Sequence, residues 1–158
     1  MAHVLFVCLH NAGRSQMSRA LFERAAAGRH SADSAGTTPG DRVHPEVLDV
    51  MHELHIDLSD RTPQKLTTEL AEQADIVVTM GCGDRCPYIP GTRYIDWDLP
   101  DPKGQPIDAV RTTRDEIARR VALSLSSSLT ATSSNQRHSR RPAYVQNPCE
   151  AKGCRVTL

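Results

Sequence analysis

A cysteine, five intervening residues, an arginine and a serine stand near the start of the chain, in Cys8-Leu9-His10-Asn11-Ala12-Gly13-Arg14-Ser15. Between a strand and a helix, such a loop can curl around a tetrahedral oxyanion, because Gly13 and Asn11 can adopt positive φ and turn successive N–H groups inward. Arg14 would offer two oxygens a planar guanidinium, and the helix would add the partial positive charge of its N-terminus. These groups favour a thiolate on Cys8, to which Ser15, as the helix N-cap, can donate its hydroxyl proton. The stretch therefore predicts a nucleophilic thiol in an anion site, with residues 9–14 as the substrate ligands.

Two further cysteines, Cys82 and Cys86, lie in a glycine-containing loop that follows the apolar run 76–78. One thiol is enough for phosphate-ester hydrolysis, whereas three thiols suit a relay in which electrons reach a substrate on Cys8 and a disulfide carries the oxidising equivalents away. Two alternatives stay open. Cys82 and Cys86 can form a zinc site together with Cys149 and Cys154, although the two cysteines of each pair are not separated by the usual two residues. Alternatively, the loop thiols can have no function.

Three carboxylates occupy a proline-containing stretch further along the chain, Asp96-Trp97-Asp98-Leu99-Pro100-Asp101-Pro102. A reaction at Cys8 needs a general acid on the opposite side of the substrate, to protonate the departing oxygen. The position of these acids after a predicted strand suits that role. An aspartate before a proline is also a common turn residue, which is the plainer explanation.

Apolar periodicity predicts the elements that must hold these groups. Short apolar runs at 4–7 and 76–78 are typical of strands buried on both faces, and 31–34 and 94–97 are further candidate strands. Helical spacing appears at 17–25, at 47–54 after Pro45, at 67–74 and at 110–121. This alternation predicts an α/β domain with a central four-stranded parallel sheet, helices on both faces and functional loops at the carboxyl ends of the strands.

Composition limits the classes of function. The chain has 158 residues, 39% of them apolar, which suits one catalytic domain over 1–125. Residues 126–158 begin in a serine-rich run and contain five basic residues and one acidic residue, so this predicted disordered tail is +4 and the rest is −4. The overall net charge of zero argues against nucleic-acid or anionic-lipid partners. Without a membrane-length apolar run or a signal-peptide pattern, the expected location is the cytoplasm, where cysteines are more often catalytic, redox-active or metal-binding than structural.

The motifs resemble a known family. Cys8-x5-Arg14-Ser15 within the first 15 residues of a small α/β chain is similar to the low-molecular-weight protein tyrosine phosphatases. Arg14-Ser15-Gln16-Met17, followed by Ser34-Ala35-Gly36, resembles their thioredoxin-coupled arsenate reductase branch. The resemblance covers 1 to about 125 and implies the phosphatase fold.

The resemblance also implies an order of steps. Cys8 would be the nucleophile, Cys82 would attack the thiol-arsenic adduct and release arsenite, and Cys86 would then attack Cys82. Thioredoxin or a similar dithiol protein would reduce the last disulfide, with no tightly bound cofactor. The Asp-Pro pair resembles the acid loop of the family, which indicates Asp101. No metal is predicted. The potassium site of some related reductases is not expected here, because Arg19 stands where they have a carboxylate.

Three functions compete. The favoured function is that of an arsenate reductase, which is expected to be a monomer. Phosphotyrosine-specific relatives tend to place aromatic residues just after the Asp-Pro pair, whereas this chain has Lys103-Gly104 there. The chain also has few aromatic residues overall. A small free oxyanion therefore suits the site better than a phenyl ester. The alternatives are a protein tyrosine or small phosphate-ester phosphatase that uses Cys8, Arg14 and Asp101, and a redox-sensing or metal-binding module built on Cys82 and Cys86.

Overall fold

The computed structural model describes residues 1–81 and 86–127. Strands and helices alternate along the first part of the chain, as predicted. The strands are β1 (His3–Cys8), β2 (Ser31–Gly36), β3 (Ile76–Met80) and β4 (Arg93–Asp96). The helices are α1 (Arg14–Ala26), α2 (Pro45–His52), α3 (Thr68–Gln73) and α4 (Ile107–Ser127).

The four strands form one parallel sheet in the order β2-β1-β3-β4. In register, Cys8 at the end of β1 lies between Gly36 on β2 and Met80 on β3. Three strands therefore end together at the carboxyl edge of the sheet. This edge, which the alternating pattern predicted to be functional, holds the reactive thiol.

Two apolar clusters, one on each face of the sheet, confirm the predicted three layers. Alternate residues of β1 point to opposite faces, so Val4 and Phe6 belong to one cluster while Leu5 and Val7 belong to the other. The first cluster is completed by residues of α1, α2 and α4, and the second by residues of α3. Cys8 therefore lies at the end of a strand, β1, that is buried on both faces of the sheet.

Local sequence explains the helix starts. α2 has Pro45 in its first turn after His44, where the missing N–H of proline leaves no intrahelical bond unmade. α3 follows Thr67, whose side chain accepts a hydrogen bond from Leu70 N at 3.3 Å. α4 extends to Ser127, two residues beyond the predicted domain boundary. The rest of the predicted tail lies outside the described residues. None of the helices in the described ranges is both long and apolar enough to traverse a bilayer.

Candidate active site

The Cys8 thiol is free and almost completely buried, with 2% of the residue exposed. It lies at the first position of a loop that we call the oxyanion loop, residues 8–14. Its sulfur is 2.9 Å from the Ser15 hydroxyl oxygen and accepts a hydrogen bond from the backbone N–H of Asn11 at 3.3 Å. Both neighbours can donate a hydrogen bond to the sulfur.

The oxyanion loop turns its carbonyl groups outward. Three of them accept backbone hydrogen bonds from the segment that follows β2: Leu9 O from Thr38, His10 O from Gly40 and Ala12 O from His44, at 2.8–2.9 Å. A fourth, Asn11 O, accepts from Gln16 Nε2 at 3.1 Å. In a trans peptide the carbonyl and the next N–H point in opposite directions. The N–H groups of residues 10–13 therefore face the concave side of the loop, as an oxyanion cradle requires.

The two predicted positive-φ residues differ in outcome. Asn11 has φ 50°, as predicted. The prediction for Gly13 is wrong, since its φ is −140°. Glycine is required there by close packing, because a Cβ on Gly13 would lie 2.6 Å from Cγ of Pro102 and 3.4 Å from Cδ2 of His44.

The end of β2 approaches the oxyanion loop even more closely. A Cβ on Gly36 would lie 2.8 Å from both Asn11 N and Leu9 O. These are backbone atoms, which cannot move aside as a flexible side chain can. Gly36 therefore lets β2 support the cradle from behind.

A chain of side-chain hydrogen bonds orients the Ser15 hydroxyl. The backbone N–H of Gln64 donates to Asn11 Oδ1 at 2.9 Å, and Gln16 Nε2 donates to the same oxygen at 3.1 Å. A backbone N–H can only donate, so these contacts fix which end of the Asn11 amide is the oxygen. Asn11 Nδ2 then donates to Ser15 Oγ at 2.7 Å. The Ser15 proton is consequently left for Cys8 Sγ.

The prediction that Ser15 is the N-cap of α1 is wrong, although its contact with Cys8 is as expected. The helix begins at Arg14, its N-cap is Gly13, and no side chain caps it. Ser15 lies within the first turn and is fully buried. Its hydroxyl is free for the sulfur because it does not bond to the backbone as a cap would.

Arg14 is buried at the mouth of the oxyanion loop, with 8% of the residue exposed. Its Nη1 donates to Leu99 O at 3.0 Å, and its Nη2 lies 3.6 Å from a carboxylate oxygen of Asp101. Gly81 packs against the same group, since a Cβ there would lie 2.8 Å from Nη1. The guanidinium is therefore fixed by two separate loops.

Asp101 is the one of the three candidate acids that is paired with Arg14. It lies in the acid loop, residues 98–104, which is fastened by Lys103 N to Asp101 Oδ1 at 3.0 Å and by Gly104 N to Glu46 Oε1 at 2.9 Å. The Asp101 side chain is 44% exposed, so it can exchange protons with water. By contrast, Asp96 accepts a hydrogen bond from Thr79 Oγ1 at 2.7 Å on β3.

The second thiol, Cys82, lies outside the described residues, but the residues on either side of its segment are described. Gly81 contacts Arg14, so the segment starts beside the oxyanion loop. Cys86 is disulfide-bonded, and because Cys8 is free, Cys8 is not its partner. Cys149 and Cys154 of the alternative zinc site also lie outside the described residues. Within 1–81 and 86–127, no three potential ligands of the His, Cys, Asp or Glu type converge on a metal position.

The described aromatic residues are engaged away from the oxyanion loop. Phe6 packs against both Phe22 and Trp97 in the first core cluster, with ring centroids 5.7 and 5.9 Å apart. Tyr88 and Tyr94 stack on each other beside Cys86. The expectation that the site has no aromatic platform for a phenyl ring stays a prediction, because Tyr144 lies outside the described residues.

Sequence reasoning missed several residues that build the site. His44 packs behind Gly13, and burial lowers its pKa even though Glu46 and Asp101 oppose that shift, which favours the neutral ring. Gln64 is 53 residues from Asn11 in the chain, and no local sequence pattern predicts their hydrogen bond. Gln16 follows Ser15 directly, and the sequence indicates it only as part of the motif Arg14-Ser15-Gln16-Met17, without its contact to Asn11.

The chain is similar to proteins of a known family. The family described as low molecular weight phosphotyrosine protein phosphatase matches residues 3–135. A Halobacterium salinarum protein to which arsenate reductase activity is ascribed is 47% identical over 121 residues, which are 73% of this chain and 85% of that protein. The glutaredoxin arsenate reductase of Synechocystis is 35% identical over 77% of this chain and 94% of its own.

Among solved structures, the thioredoxin-dependent arsenate reductase of Corynebacterium glutamicum superposes with a TM-score of 0.70 at 38% identity. The match covers 80% of this chain and 61% of that one. The described residues therefore share both sequence and fold with these enzymes.

Proposed function

The chain belongs to the low molecular weight phosphotyrosine protein phosphatase family, and on this premise we propose that it is an arsenate reductase of the thiol-relay type. The proposal depends on one observation: the structure contains both a free thiol, Cys8, in the oxyanion loop and a disulfide-bonded cysteine, Cys86, in the neighbouring loop. Phosphate-ester hydrolysis itself needs only one thiol. The named arsenate reductases at 47% and 35% identity support the same conclusion.

In the first step, arsenate would bind to the inward N–H groups of the oxyanion loop and to Arg14. The Cys8 thiolate would form a bond to arsenic, and an arsenic-bound oxygen would leave as water with a proton from Asp101. Asp101 suits this role because its carboxylate stands beside Arg14 and is open to solvent. The contact with the Ser15 hydroxyl would orient the sulfur until it attacks.

In the second step, the Cys82 thiolate would attack the sulfur of Cys8. The arsenic–sulfur bond breaks and its electron pair stays on arsenic, so As(V) becomes As(III) and leaves as arsenite. Two thiols are oxidised to the Cys8–Cys82 disulfide, which balances the two electrons. Cys86 would then attack Cys82, which frees Cys8 as a thiolate and forms the Cys82–Cys86 disulfide.

An external dithiol protein would reduce that last disulfide and become oxidised in turn. We propose thioredoxin, which is the donor named for the Corynebacterium glutamicum structure. The Synechocystis relative is named for glutaredoxin, so a glutaredoxin system is the comparison that the assay needs. We further propose that the protein acts as a monomer in the cytoplasm, the compartment where both donors keep thiols reduced.

The decisive experiment is NADPH oxidation driven by arsenate, either with thioredoxin and thioredoxin reductase or with a glutaredoxin, glutathione and glutathione reductase. Cys82→Ser and Cys86→Ser should each abolish multiple turnover. The matched control is Cys149→Ser, which removes a thiol of the predicted tail and should turn over as the wild type does. Continued thioredoxin-linked turnover in both loop variants would show that the relay is wrong.

A phosphatase side activity is favoured by one specific observation. Cys8, Arg14 and Asp101 together are all that phosphate-ester hydrolysis needs, and Arg14 and Asp101 are paired in the structure. Cys82→Ser and Cys86→Ser should therefore hydrolyse a small aryl phosphate at the wild-type rate. Stoichiometric zinc retained through gel filtration would instead favour the metal-binding alternative.

A further inference from the structure

The Tyr94 hydroxyl clamps the backbone that follows Cys86. Ile89 N donates to Tyr94 Oη at 2.9 Å, and Tyr94 Oη donates to Pro87 O at 2.8 Å. One phenol thus uses both its donor and its acceptor capacity on a three-residue stretch that begins directly after the cysteine. Pro87 has no N–H of its own to offer the sheet, so this contact through its carbonyl fastens the residue next to Cys86.

The backbone of the clamping residue lies within β4, away from the carboxyl edge of the sheet. Tyr94 on β4 is paired in register with Val77, three residues before Met80 at that edge. At about 3.3 Å per residue, the Tyr94 backbone lies roughly 10 Å from the edge. The loop therefore begins at Gly81 against Arg14, and the residue after Cys86 is held by a side chain of β4.

Apolar contacts reinforce the same attachment. Cys86, Ile89 and Tyr94 all pack against the second core cluster, on the face of the sheet that carries α3. Tyr88 stacks on the Tyr94 ring at 5.5 Å, with 28° between the ring planes, and leaves 58% of its own surface exposed. The backbone around Cys86 is thus held by the sheet rather than by the oxyanion loop.

We propose that Tyr94 is a positioning residue for the second thiol–disulfide exchange, an inference that rests on the proposed arsenate reductase activity. By fixing the backbone after Cys86, its hydroxyl keeps that sulfur in place as it attacks Cys82. In this exchange the Cys8–Cys82 bond breaks, the Cys82–Cys86 bond forms and Cys8 leaves as a thiolate, with no net oxidation. A fixed attacking sulfur raises the rate because less freedom is lost on reaching the in-line geometry.

The environment of the phenol suits the role. Burial raises the pKa of Tyr94 above its ordinary value, while the hydrogen bond from Ile89 N opposes that shift. The hydroxyl therefore keeps its proton, and its donor bond to Pro87, through the mildly alkaline range in which ordinary thiols ionise.

The test compares Tyr94→Phe with Tyr88→Phe. The first variant removes both hydrogen bonds of the clamp and keeps the stacked ring, whereas the second makes the same chemical change on the partner of the stack. Reduced enzyme receives one equivalent of arsenate without a donor. Samples are quenched by alkylation, and mass spectrometry measures the Cys8–Cys82 and Cys82–Cys86 disulfides over time.

We expect Tyr94→Phe to release arsenite at the wild-type rate and to convert Cys8–Cys82 into Cys82–Cys86 about tenfold more slowly. Tenfold corresponds to about 1.4 kcal/mol, which lies within the roughly 1–3 kcal/mol net contribution of the two lost hydrogen bonds. Thioredoxin-linked turnover should fall once this exchange limits the rate. Tyr88→Phe should match the wild type, and aryl phosphate hydrolysis should be unchanged in both variants, which shows that the fold is intact.

Three results would overturn the assignment: wild-type exchange in Tyr94→Phe, equal slowing in Tyr88→Phe, or a parallel loss of aryl phosphate hydrolysis in Tyr94→Phe. The first two leave the proposed function standing, because the wild type still reduces arsenate. If the wild type itself releases no arsenite, the proposed function fails and this inference fails with it.

Discussion

Replacing Gly13 with alanine should displace the acid loop and slow every reaction that needs Asp101. The added Cβ would lie 2.6 Å from Cγ of Pro102, whereas ordinary carbon contacts are about 3.5–4.0 Å. Pro102, and with it the adjacent Asp101, must therefore move by about 1 Å. Since a 1 Å misplacement can cost about 10²-fold in rate, we expect a loss of that size in aryl phosphate hydrolysis and in arsenite release.

The effect on folding should be smaller. Overpacking of this kind typically lowers the free energy of unfolding by about 1–3 kcal/mol, so the variant should fold at room temperature. Urea denaturation measures this term separately from the rate. Alkylation of Cys8 by iodoacetamide should change little, because the sulfur keeps its bonds from Ser15 and Asn11.

Gly40→Ala is the matched control. A Cβ there would find its nearest neighbour, Ala12 Cβ, at 3.7 Å, which is an ordinary contact on the outer side of the oxyanion loop. It should retain wild-type rates. The double variant Gly13→Ala/Pro102→Ala removes the clashing Cγ and should recover more activity than the two single losses predict. A fully active Gly13→Ala enzyme would refute the reasoning.

Three further predictions concern other parts of the molecule. The half-buried His44 has a pKa below its ordinary 6.5, so the unfolded state binds the proton more readily. The free energy of unfolding should therefore fall as pH drops below about 6.5, and urea denaturation of His44→Gln should show a flatter profile. Asn11→Asp removes the donor to Ser15 and adds a negative charge near Cys8, so iodoacetamide alkylation at pH 7 should slow about tenfold or more, the equivalent of one lost hydrogen bond. Truncation after Ser127 should leave thioredoxin-linked turnover unchanged, whereas a large loss would implicate Cys149 or Cys154.

The fold and the reactive stretch were readable from sequence because their signals are local. The apolar run of β1 gives one buried strand, and its end places Cys8 at the carboxyl edge without any knowledge of distant residues. The five-residue spacing to Arg14 similarly predicts a short loop before a helix. These features depend on neighbours in the chain, which a sequence displays directly.

The residues that hold the site in place could not be predicted from the sequence, because they depend on contacts between segments that are far apart in the chain. The role of Gly13 was misjudged, since backbone φ was expected to require glycine and the neighbour that requires it is Pro102, 89 positions later. Gln64 orients Asn11 from a segment with no distinguishing pattern. The sequence predicts Tyr94 only as the first residue of a candidate strand, whereas its bonds to the residues after Cys86 arise from how that segment packs beside β4.

The outward carbonyls of the oxyanion loop carry a consequence for salt dependence. Because neighbouring segments already hold these carbonyls, the peptide groups cannot rotate to present oxygen to the interior, so selectivity for anions is built into the backbone. Mobile ions screen charges separated by more than about 8–10 Å at physiological ionic strength, but they act weakly on hydrogen bonds made at contact in a buried loop. The proposed oxyanion site should therefore lose less affinity to ionic screening than a site that relies on surface charge.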